Sequence, residues 1–469
     1  MTAYDYDLFV IGSGPGGQRA AIQGAKLGKR VAVAERRAVV GGVSINTGTI
    51  PSKTLREAVL YLSGYRERGL YGESYVLKQG AEMSDLLYRT DSVIKHEIDV
   101  TRHQLLRNRV EVFAGEASFV DPHTIRLTFV DKSGQRDVTA ENIVIAVGSR
   151  PGTDRTLEYD GRHVLQSDDI LGLEKLPRTM TVVGAGVIGC EYTSIFAAMG
   201  VRVTLVDKRE ELLPFVDGEI VREFEHELTR NRVTLRLGEE VDHSELAEDI
   251  HGERVRLHLA SGKQILSDTV LYSIGRTGAV EGLNLAAVGI WPDEKGLLKV
   301  DAQYRTELPH IFAVGDVIGF PSLASTSMEQ GRLAACYAFG IEARSTPEHF
   351  PLGIFTIPEI SYVGRTEEEL TADGVPYEVG KAQYREIARG KIIGDSSGLL
   401  KLIFHLETRQ LLGVHAMGEG ATEIVHIGQA VMVLGGGVDY FVNNVFNYPT
   451  LAECYKTAAF DAINRLWAG

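Results

Sequence analysis

The sequence is short of cysteine, of long apolar runs and of basic charge. Only three cysteines occur among 469 residues, and the spacing of Cys190, Cys336 and Cys454 fits neither a metal site nor a redox pair. No window approaches the roughly 18 uncharged apolar residues of a membrane span, and the amino-terminal segment turns strand-like too early for a signal peptide. The net charge of −14 opposes binding to nucleic acid or anionic membranes. These absences predict a cytoplasmic protein of a reducing compartment, without metal, nucleic-acid or membrane partners.

The length and composition are those of a multidomain globular protein. A chain of 469 residues is too long for one hydrophobic core, so we expect about two to four domains. Because the chain is acidic overall, backbone amides or a few placed cations must hold any phosphate-bearing ligand.

A glycine-rich pattern occurs twice with the same spacing. In each copy a short apolar strand precedes three glycines, a helical segment, a second strand and an acidic residue. The first copy has Gly12, Gly14, Gly17 and Glu35, and the second has Gly184, Gly186, Gly189 and Asp207. The helical segments are expected at residues 19–28 and 190–199. Matching positions all differ by 172, as 184 − 12 shows.

This context gives the glycines a physical meaning. The first permits a tight turn, the second lets the backbone approach a pyrophosphate, and the third allows close packing of helix and strand. Two copies predict two Rossmann-like domains and two dinucleotides, which is typical of a hydride-transfer enzyme that holds one and exchanges the other. A glycine turn without a ligand is the alternative for each copy.

Three further stretches indicate how the chain is organised. Residues 81–110 place apolar side chains at helical spacing, which predicts a long amphipathic helix packed on the first domain. Strand-like runs that end at Gly148 and Gly275 mark the expected crossings between the nucleotide domains. From residue 362 to 466 mixed strands and helices without a nucleotide motif predict a third domain.

The segment Gly41–Lys53 resembles the signature of the pyridine nucleotide-disulfide oxidoreductases. In that family two cysteines separated by four residues precede Pro-Ser-Lys, and here Ser44 and Thr49 stand in their places. Residues 311–316 are similar to the family's second FAD motif, whose aspartate meets the ribityl chain. The likeness runs from residue 6 to near the carboxyl terminus.

The resemblance implies a glutathione-reductase-like α/β fold, with two Rossmann-like dinucleotide-binding domains and a C-terminal α+β dimerisation domain. Residues 1–149 and 277–348 are then expected to bind FAD, residues 150–276 to bind NAD or NADP, and residues 349–469 to form the interface of a homodimer or higher homo-oligomer. One FAD is expected per chain, with NAD and NADP as substrates.

The resemblance and the glycine patterns together assign site residues. The residues expected to contact FAD are Gly12, Gly14, Gly17, Glu35, Gly42, Ser44, Thr49, Lys53, Gly148, Gly315 and Asp316. The residues expected to contact the nicotinamide nucleotide are Gly184, Gly186, Gly189, Glu191, Asp207, Lys208, Arg209 and Gly275. By resemblance, Lys53 lies near flavin N5 and pairs with Glu191, and these two are the expected catalytic residues. The lysine cation can stabilise the reduced, anionic flavin.

The departures from the family pattern bear on function. A dithiol relay needs a thiolate beside the flavin, and a serine or threonine hydroxyl is neither comparably acidic nor able to form a disulfide. Tyr448 stands where thiol-reducing members carry a histidine, and an unperturbed tyrosine pKa of about 10 makes it a poor proton shuttle. We therefore expect no disulfide reductase activity and a structural role for Glu453.

Within the family, the combination of Thr49-Ile50-Pro51-Ser52-Lys53 with the stretch Phe446–Thr450 most resembles the soluble pyridine nucleotide transhydrogenases. That branch commonly keeps the first of the two cysteines, so Ser44 departs even from it. Asp207 suits the ribose 2′-hydroxyl of NAD, while Lys208 and Arg209 suit the 2′-phosphate of NADP. One pocket is therefore expected to accept either cofactor.

The predicted activity is a reversible, ping-pong transfer of hydride from NADPH to NAD through FAD, by an Si-specific type of transhydrogenase. The nearest alternative is an NAD(P)H:quinone or diaphorase-type flavin reductase, since a cysteine-free member must discharge its flavin elsewhere. A cofactor-bound scaffold without turnover is an alternative from a different class.

Overall fold

A computed structural model describes residues 4–72, 74–78, 80–152, 157, 159–250, 252–345 and 349–466. The strands are β1 Tyr6–Ile11, β2 Val31–Glu35, β3 Glu111–Asp121, β4 Thr124–Phe129, β5 Gln135–Ile145, β6 Ser149–Pro151, β7 Val164–Gln166, β8 Thr179–Val183, β9 Arg202–Asp207, β10 Thr234–Leu237, β11 Val241–Asp249, β12 Gly252–Leu259, β13 Gln264–Ser267, β14 Thr269–Tyr272, β15 Arg276–Gly278, β16 Ile311–Ala313, β17 Leu352–Ile354, β18 Ile360–Gly364, β19 Tyr377–Gln383, β20 Leu399–His405 and β21 Leu411–Met417.

The α-helices are α1 Pro15–Lys26, α2 Gly42–Asn46, α3 Thr49–Leu62, α4 Arg68–Tyr71, α5 Met83–Arg107, α6 Val187–Ala198, α7 Gly218–Arg230, α8 Ala324–Ala338, α9 Glu367–Ala372, α10 Ala388–Ile393, α11 Ala421–Val433, α12 Val438–Asn443 and α13 Glu453–Leu466. Short 3-10 helices include Tyr65–Glu67, Ser167–Gly172, Leu285–Val288, Gly315–Ile318 and Tyr384–Glu386. Among the described residues, no helix is both long and apolar enough to pass through a bilayer.

The chain forms two compact units. The first contains Met1–Thr54, Leu87–Thr153 and Gly275–Ser345, and the second contains Leu55–Leu86, Asp154–Ile274 and Thr346–Gly469. The first unit is interrupted shortly after Gly148 and resumes at Gly275, the two glycines at which the sequence predicts crossings between domains. Both glycines have a positive φ, of 72° and 68°, and lead into the antiparallel pair of β6 and β15.

The first unit is built on a parallel sheet. β1 lies between β2 and β5, β3 pairs with β2, and β16 pairs with β5, all in parallel register. Apolar residues fill β1, and Leu8, Phe9 and Val10 have no exposed surface, as expected of a parallel strand covered on both faces. Residues 115–121 of β3 and residues 135–139 of β5 lie outside this parallel sheet and pair antiparallel with β4.

The long helix predicted within residues 81–110 is confirmed as α5, and its Ile98 and Leu105 lie in the core of the first unit. The predicted starts of two other helices were too late. The α1 helix begins at Pro15, inside the glycine pattern, because proline fits the first helical position, where no amide hydrogen is needed. In the same way α6 begins at Val187 rather than at Cys190.

The second unit contains a parallel sheet of the same design, in the order β10, β9, β8, β14, β7. An antiparallel sheet of β11, β12 and β13 accompanies it, as β3 to β5 do in the first unit. The repeat of 172 positions in the sequence is therefore a repeat of the fold. Each glycine pattern follows a central strand of its sheet, β1 or β8, and begins a helix.

The carboxyl-terminal part of the second unit has its own antiparallel sheet in the order β17, β18, β21, β20, β19. Its core includes Leu402, Phe404 and Tyr455, from β20 and α13. The α/β fold class with a carboxyl-terminal α+β part is thus confirmed, and the division of the second unit into two domains stays a prediction.

A buried ion cluster joins strand β20 of this carboxyl-terminal sheet to the starts of helices α7 and α9. The Lys401 side chain of β20 has no exposed surface, and its Nζ lies 2.8 Å from both Asp217 carboxylate oxygens. It also contacts Glu367 and lies 3.3 Å from Glu219. Burial acts to lower the pKa of Lys401, but its bonds to Asp217 and Glu367 outweigh this and raise the pKa. Asp217 in turn accepts from the Glu219 amide at the start of α7.

Candidate functional site

A cavity of about 470 Å³ lies in the first unit, at the edge of the sheet where the parallel strands end. Its lining brings together nine predicted residues, namely Gly12, Gly14, Glu35, Gly42, Ser44, Thr49, Gly148, Gly315 and Asp316. Gly17 and Lys53, also predicted, are not among the lining residues.

The glycines of the first turn differ in what surrounds them. Gly12 has a φ of 104°, and a Cβ there would lie 2.4 Å from the Ala146 carbonyl oxygen. A Cβ at Gly17 would lie 1.9 Å from the Gly12 carbonyl oxygen, so this glycine permits close packing rather than ligand contact. A Cβ at Gly14 would meet nothing within 4 Å, so this glycine presents open space to the cavity.

The second turn, in the second unit, repeats these contrasts. Gly184 has a φ of 109°, and a Cβ at Gly189 would lie 1.8 Å from the Gly184 carbonyl oxygen. Gly186 again faces open space. Each turn therefore leaves its middle glycine open beside a helix amino terminus, which is the arrangement that binds a pyrophosphate.

Glu35, the acid of the first copy, is 95% buried and held in place by the glycine turn. Its Oε2 accepts from the Ser13 hydroxyl at 2.6 Å and from the Ser13 amide at 3.2 Å. Its Oε1 accepts from the Arg37 amide at 2.9 Å. The Ser13 hydroxyl also accepts from the Gly41 amide at 2.9 Å, which ties the turn to the segment that carries Ser44.

Asp316 lies in the 3-10 helix Gly315–Ile318, and sequence reasoning missed two residues that position it. The Ser149 hydroxyl donates to Asp316 Oδ2 at 2.6 Å, and Arg276 Nε donates to the Ser149 hydroxyl at 2.8 Å. Arg276 also donates to the Ser149 carbonyl oxygen at 2.9 Å. Ser149 directly follows Gly148, and Arg276 directly follows Gly275. Their position next to these two glycines, which were identified from the sequence, was the signal that could have found them.

Replacing Ser149 with alanine removes the hydrogen bond that holds Asp316. Since a hydrogen bond to a charged group contributes about 1.5–3 kcal/mol, we expect flavin affinity to fall on the order of ten- to a hundredfold. Titration of deflavinated protein with FAD, followed by flavin fluorescence, measures this. Ser133→Ala, in an exposed turn of the same unit, is the control; equal affinities for both variants would contradict the role of Ser149.

The segment without cysteines forms two short helices. Ser44 lies in α2, and Thr49 is the first residue of α3, so Lys53 lies one turn into α3. The three cysteines are buried, and burial raises the pKa of each thiol, to about 12 for Cys454. They are core residues.

Glu191 lies in α6 of the second unit and is 97% buried. Its Oε1 accepts from the Phe355 amide at 2.9 Å. Lys53 belongs to the first unit, and its pairing with Glu191 stays a prediction.

Asp207 ends β9, and the two cations that follow it, Lys208 and Arg209, differ in their contacts. The Arg209 guanidinium donates to both oxygens of Asp207, at 2.8 and 3.1 Å, and Asp207 Oδ2 accepts from the Ala185 amide at 2.6 Å. Burial acts to raise the pKa of Asp207, but the bonds from Arg209 and Ala185 hold it below its ordinary value. Lys208 is exposed and makes no ion pair with any residue that the structure describes.

Tyr448 and Glu453, near the carboxyl terminus, lie in different environments. Tyr448 is 75% exposed. Glu453 begins α13, and its carboxylate accepts from the Thr450 amide at 3.3 Å. This contact at a helix start agrees with the structural role expected for Glu453.

Two family models match most of the chain. Residues 6–331 match the pyridine nucleotide-disulphide oxidoreductase model, and residues 350–459 match the dimerisation domain of the same family. Among solved structures, LpdA from Mycobacterium tuberculosis has a TM-score of 0.88 at 25% identity, covering 97% of this chain and 99% of LpdA. The flavoprotein disulfide reductase RclA from Escherichia coli has a TM-score of 0.86 at 27% identity, with coverage of 97% and 99%.

Curated relatives are similar over the full length. A soluble pyridine nucleotide transhydrogenase of Mycobacterium tuberculosis (strain ATCC 25177 / H37Ra) is 54% identical over 464 residues, covering 99% of this chain and 98% of the relative. One from Enterobacter sp. (strain 638) is 46% identical over 469 residues, with 99% of each chain covered. The resemblance predicted from the sequence is therefore confirmed. The chain belongs to the pyridine nucleotide-disulphide oxidoreductase family and is an oxidoreductase.

Proposed function

We propose that this protein is an NAD(P) transhydrogenase of the Si-specific type, which moves hydride reversibly from NADPH to NAD with one bound FAD and without a redox disulfide. The observation that carries the proposal is that both glycine turns are intact while Ser44 and Thr49 replace the cysteine pair. The names of the relatives, which are transhydrogenases at 46 to 54% identity, support it.

The residues of the first unit fit FAD. The open face of Gly14 suits a pyrophosphate, the buried Glu35 suits a ribose hydroxyl, and Asp316, held by Ser149, suits the ribityl chain. When bound, FAD would supply N5, the atom that accepts the hydride and returns it. The hydroxyls of Ser44 and Thr49 offer no electron relay to a further substrate.

The second unit would bind both nicotinamide nucleotides in turn. Its glycine turn leaves one glycine open, Gly186, and Asp207 ends the strand β9 that follows, so NADPH and NAD would occupy the same pocket alternately. Asp207 would accept from the 2′-hydroxyl of NAD, while Lys208 and Arg209 would donate to the 2′-phosphate of NADPH. Residues 150–276 and 349–469 would be separate domains within this unit, each with its own sheet.

Lys53 and Glu191 are proposed to act at the reacting end of the nucleotides. The Lys53 ammonium would stabilise negative charge that develops on hydride acceptance. Glu191, buried in α6, would hold its position through the Phe355 amide. A Lys53→Met variant should keep its flavin yet reduce it more slowly with NADPH, on the order of a hundredfold. Stopped-flow flavin absorbance checks this, and an unchanged reduction rate would remove Lys53 from the catalytic residues.

Anaerobic turnover tests the proposal as a whole. The purified protein should be yellow, and NADPH should reduce a thio-substituted NAD analogue without any added acceptor. Because the two nucleotides share a pocket, double-reciprocal plots should be parallel, and each nucleotide should compete with the other. If NAD neither reoxidises the reduced protein nor competes with NADPH, while quinones reoxidise it rapidly, the quinone or diaphorase-type reductase takes the place of the transhydrogenase.

Disulfide reduction provides a separate test of the cysteine loss. With Ser44, Thr49 and Tyr448 at the three decisive positions, lipoamide and glutathione disulfide should not be reduced with either nucleotide. Reduction at a rate comparable to nucleotide exchange would contradict the proposal that the enzyme works without a redox disulfide.

A further inference from the structure

The second unit contains a cavity of about 910 Å³ that the proposed function does not use. Its polar lining comes from the 3-10 helix before α4, the start of β9, the end of α7 and the loop after it, and α10. Seven arginines line it, namely Arg56, Arg66, Arg68, Arg202, Arg230, Arg232 and Arg389. Such a gathering is unexpected in a chain with a net charge of −14.

The acids of the lining do not neutralise all of these arginines. Glu227, Glu359 and Glu419 are each already paired, with Arg230, Arg56 and Arg66 respectively. The Asp395 carboxylate accepts from the backbone amides of Ser397, Gly398 and Glu419. Among the described residues that line the cavity, Glu67 is the one acid left without such a partner.

Four arginines have hydrogen-bond donors for which the described residues supply no acceptor. The side chains of Arg202, Arg232 and Arg389 make no hydrogen bond or ion pair with the part of the chain that the structure describes. Arg68 donates to two carbonyl oxygens, those of Ser63 and Ala198, but its Nε is buried and has no acceptor among the described residues. A buried donor without an acceptor is costly, so this nitrogen points to a missing hydrogen-bond acceptor, which an anion in the cavity could supply.

The cavity also has apolar walls. Leu60, Leu70 and Ile393 line it, together with the Tyr65 ring, over which the Arg68 guanidinium lies 5.6 Å from the centroid. A bound molecule would therefore contact cations at several points and apolar surface between them. Arginine is the side chain best suited to phosphate because its planar fork donates two parallel hydrogen bonds.

This cavity is separate from the proposed nucleotide pocket of the same unit. Arg202 begins β9 and Asp207 ends it, so the two sites lie at opposite edges of the parallel sheet. A strand of this length spans about 16 Å at the usual rise per residue. A ligand at the amino end of β9 would therefore not overlap a nucleotide at its carboxyl end.

We propose that this cavity, which we name the arginine cavity, binds a small organic molecule that carries two phosphate groups. The four arginines with spare donors would bind the phosphates, and the leucine, isoleucine and tyrosine side chains would contact the organic part. Because the cavity lies apart from the proposed nucleotide pocket, the ligand would act as a regulator rather than as a substrate. The proposal is independent of which acceptor the enzyme uses.

Isothermal titration calorimetry tests the site directly. FAD-loaded protein is first saturated with NADP, so that both glycine turns are occupied, and is then titrated with inorganic pyrophosphate and with a sugar bisphosphate in about 0.15 M salt. We expect both to bind, the sugar bisphosphate more tightly because of the apolar walls. Binding should weaken as salt is raised, as for any charge-assisted contact.

Two variants make the test specific. Arg202→Ala/Arg389→Ala should lower the affinity for both probes on the order of ten- to a hundredfold per arginine, since each loses charge-assisted hydrogen bonds. Arg385→Ala removes an exposed arginine near α10 that does not line the cavity, and it should bind like the unmodified protein. No heat up to about 1 mM of either probe, or the same affinity in the double variant as in the unmodified protein, would overturn the proposal. If the unmodified protein binds pyrophosphate but shows no transhydrogenase activity, that result would count against the proposed function alone.

Discussion

Replacing Lys401 with methionine should destabilise the second unit by about 3–5 kcal/mol, the usual cost of breaking a buried ion pair on one side. Methionine keeps most of the volume, so the loss comes from charge. Asp217, which has no exposed surface, would stay buried beside Glu219 and Glu367 without the ammonium that holds them together. The urea midpoint of the native dimer, followed by circular dichroism, measures the effect.

A matched control separates this effect from ordinary loss of a surface charge. Lys381 also binds Glu219, at 2.7 Å, but its side chain is 41% exposed, so Lys381→Met should cost less than about 1 kcal/mol. In the Lys401 variant the unpaired carboxylates would take up protons more readily, so the destabilisation should shrink as the pH falls toward 5. Equal costs for the two lysines would contradict the assignment of Lys401 as the centre of the cluster.

Removing the cations at the end of β9 should alter the choice of nucleotide. Each charge-assisted hydrogen bond to a 2′-phosphate contributes about 1.5–3 kcal/mol, so each of Lys208→Ala and Arg209→Ala should weaken NADPH on the order of ten- to a hundredfold. NADH binding should hardly change, because Asp207 and the Ala185 amide stay in place. The ratio of dissociation constants for the two nucleotides is the measurement.

The arrangement at this strand end predicts a difference between the two cations. Arg209 is bound to Asp207, so its loss also leaves that carboxylate uncompensated beside the phosphate, whereas Lys208 has no such partner among the described residues. Arg209→Ala should therefore weaken NADPH more than Lys208→Ala does. Arg202→Ala, which removes a charge from the opposite end of β9, is the control. Equal losses of NADPH and NADH would show that neither side chain contacts the phosphate.

The sequence by itself determined the features that depend on local conformation and regular spacing. The two glycine turns and the acids 18 residues beyond the last glycine of each could be located from the sequence alone. Glycine has no side chain, so it occurs where a positive φ or a close backbone approach is required. Such positions can be recognised in the sequence before the fold is known. The absence of a cysteine pair, which excludes dithiol chemistry, is likewise a fact of the sequence.

Only the tertiary structure decided which distant side chains meet. Ser149, Arg276 and Asp316 come from three separate segments, and so do the arginines of the arginine cavity. In the sequence Lys401 looks like an ordinary lysine on a strand, and its burial among carboxylates depends on the packing of α7 and α9 against the carboxyl-terminal sheet. Hydrogen bonds and ion pairs of this kind depend on distances of a few ångströms between residues far apart in the chain, and local sequence patterns carry no information about those distances.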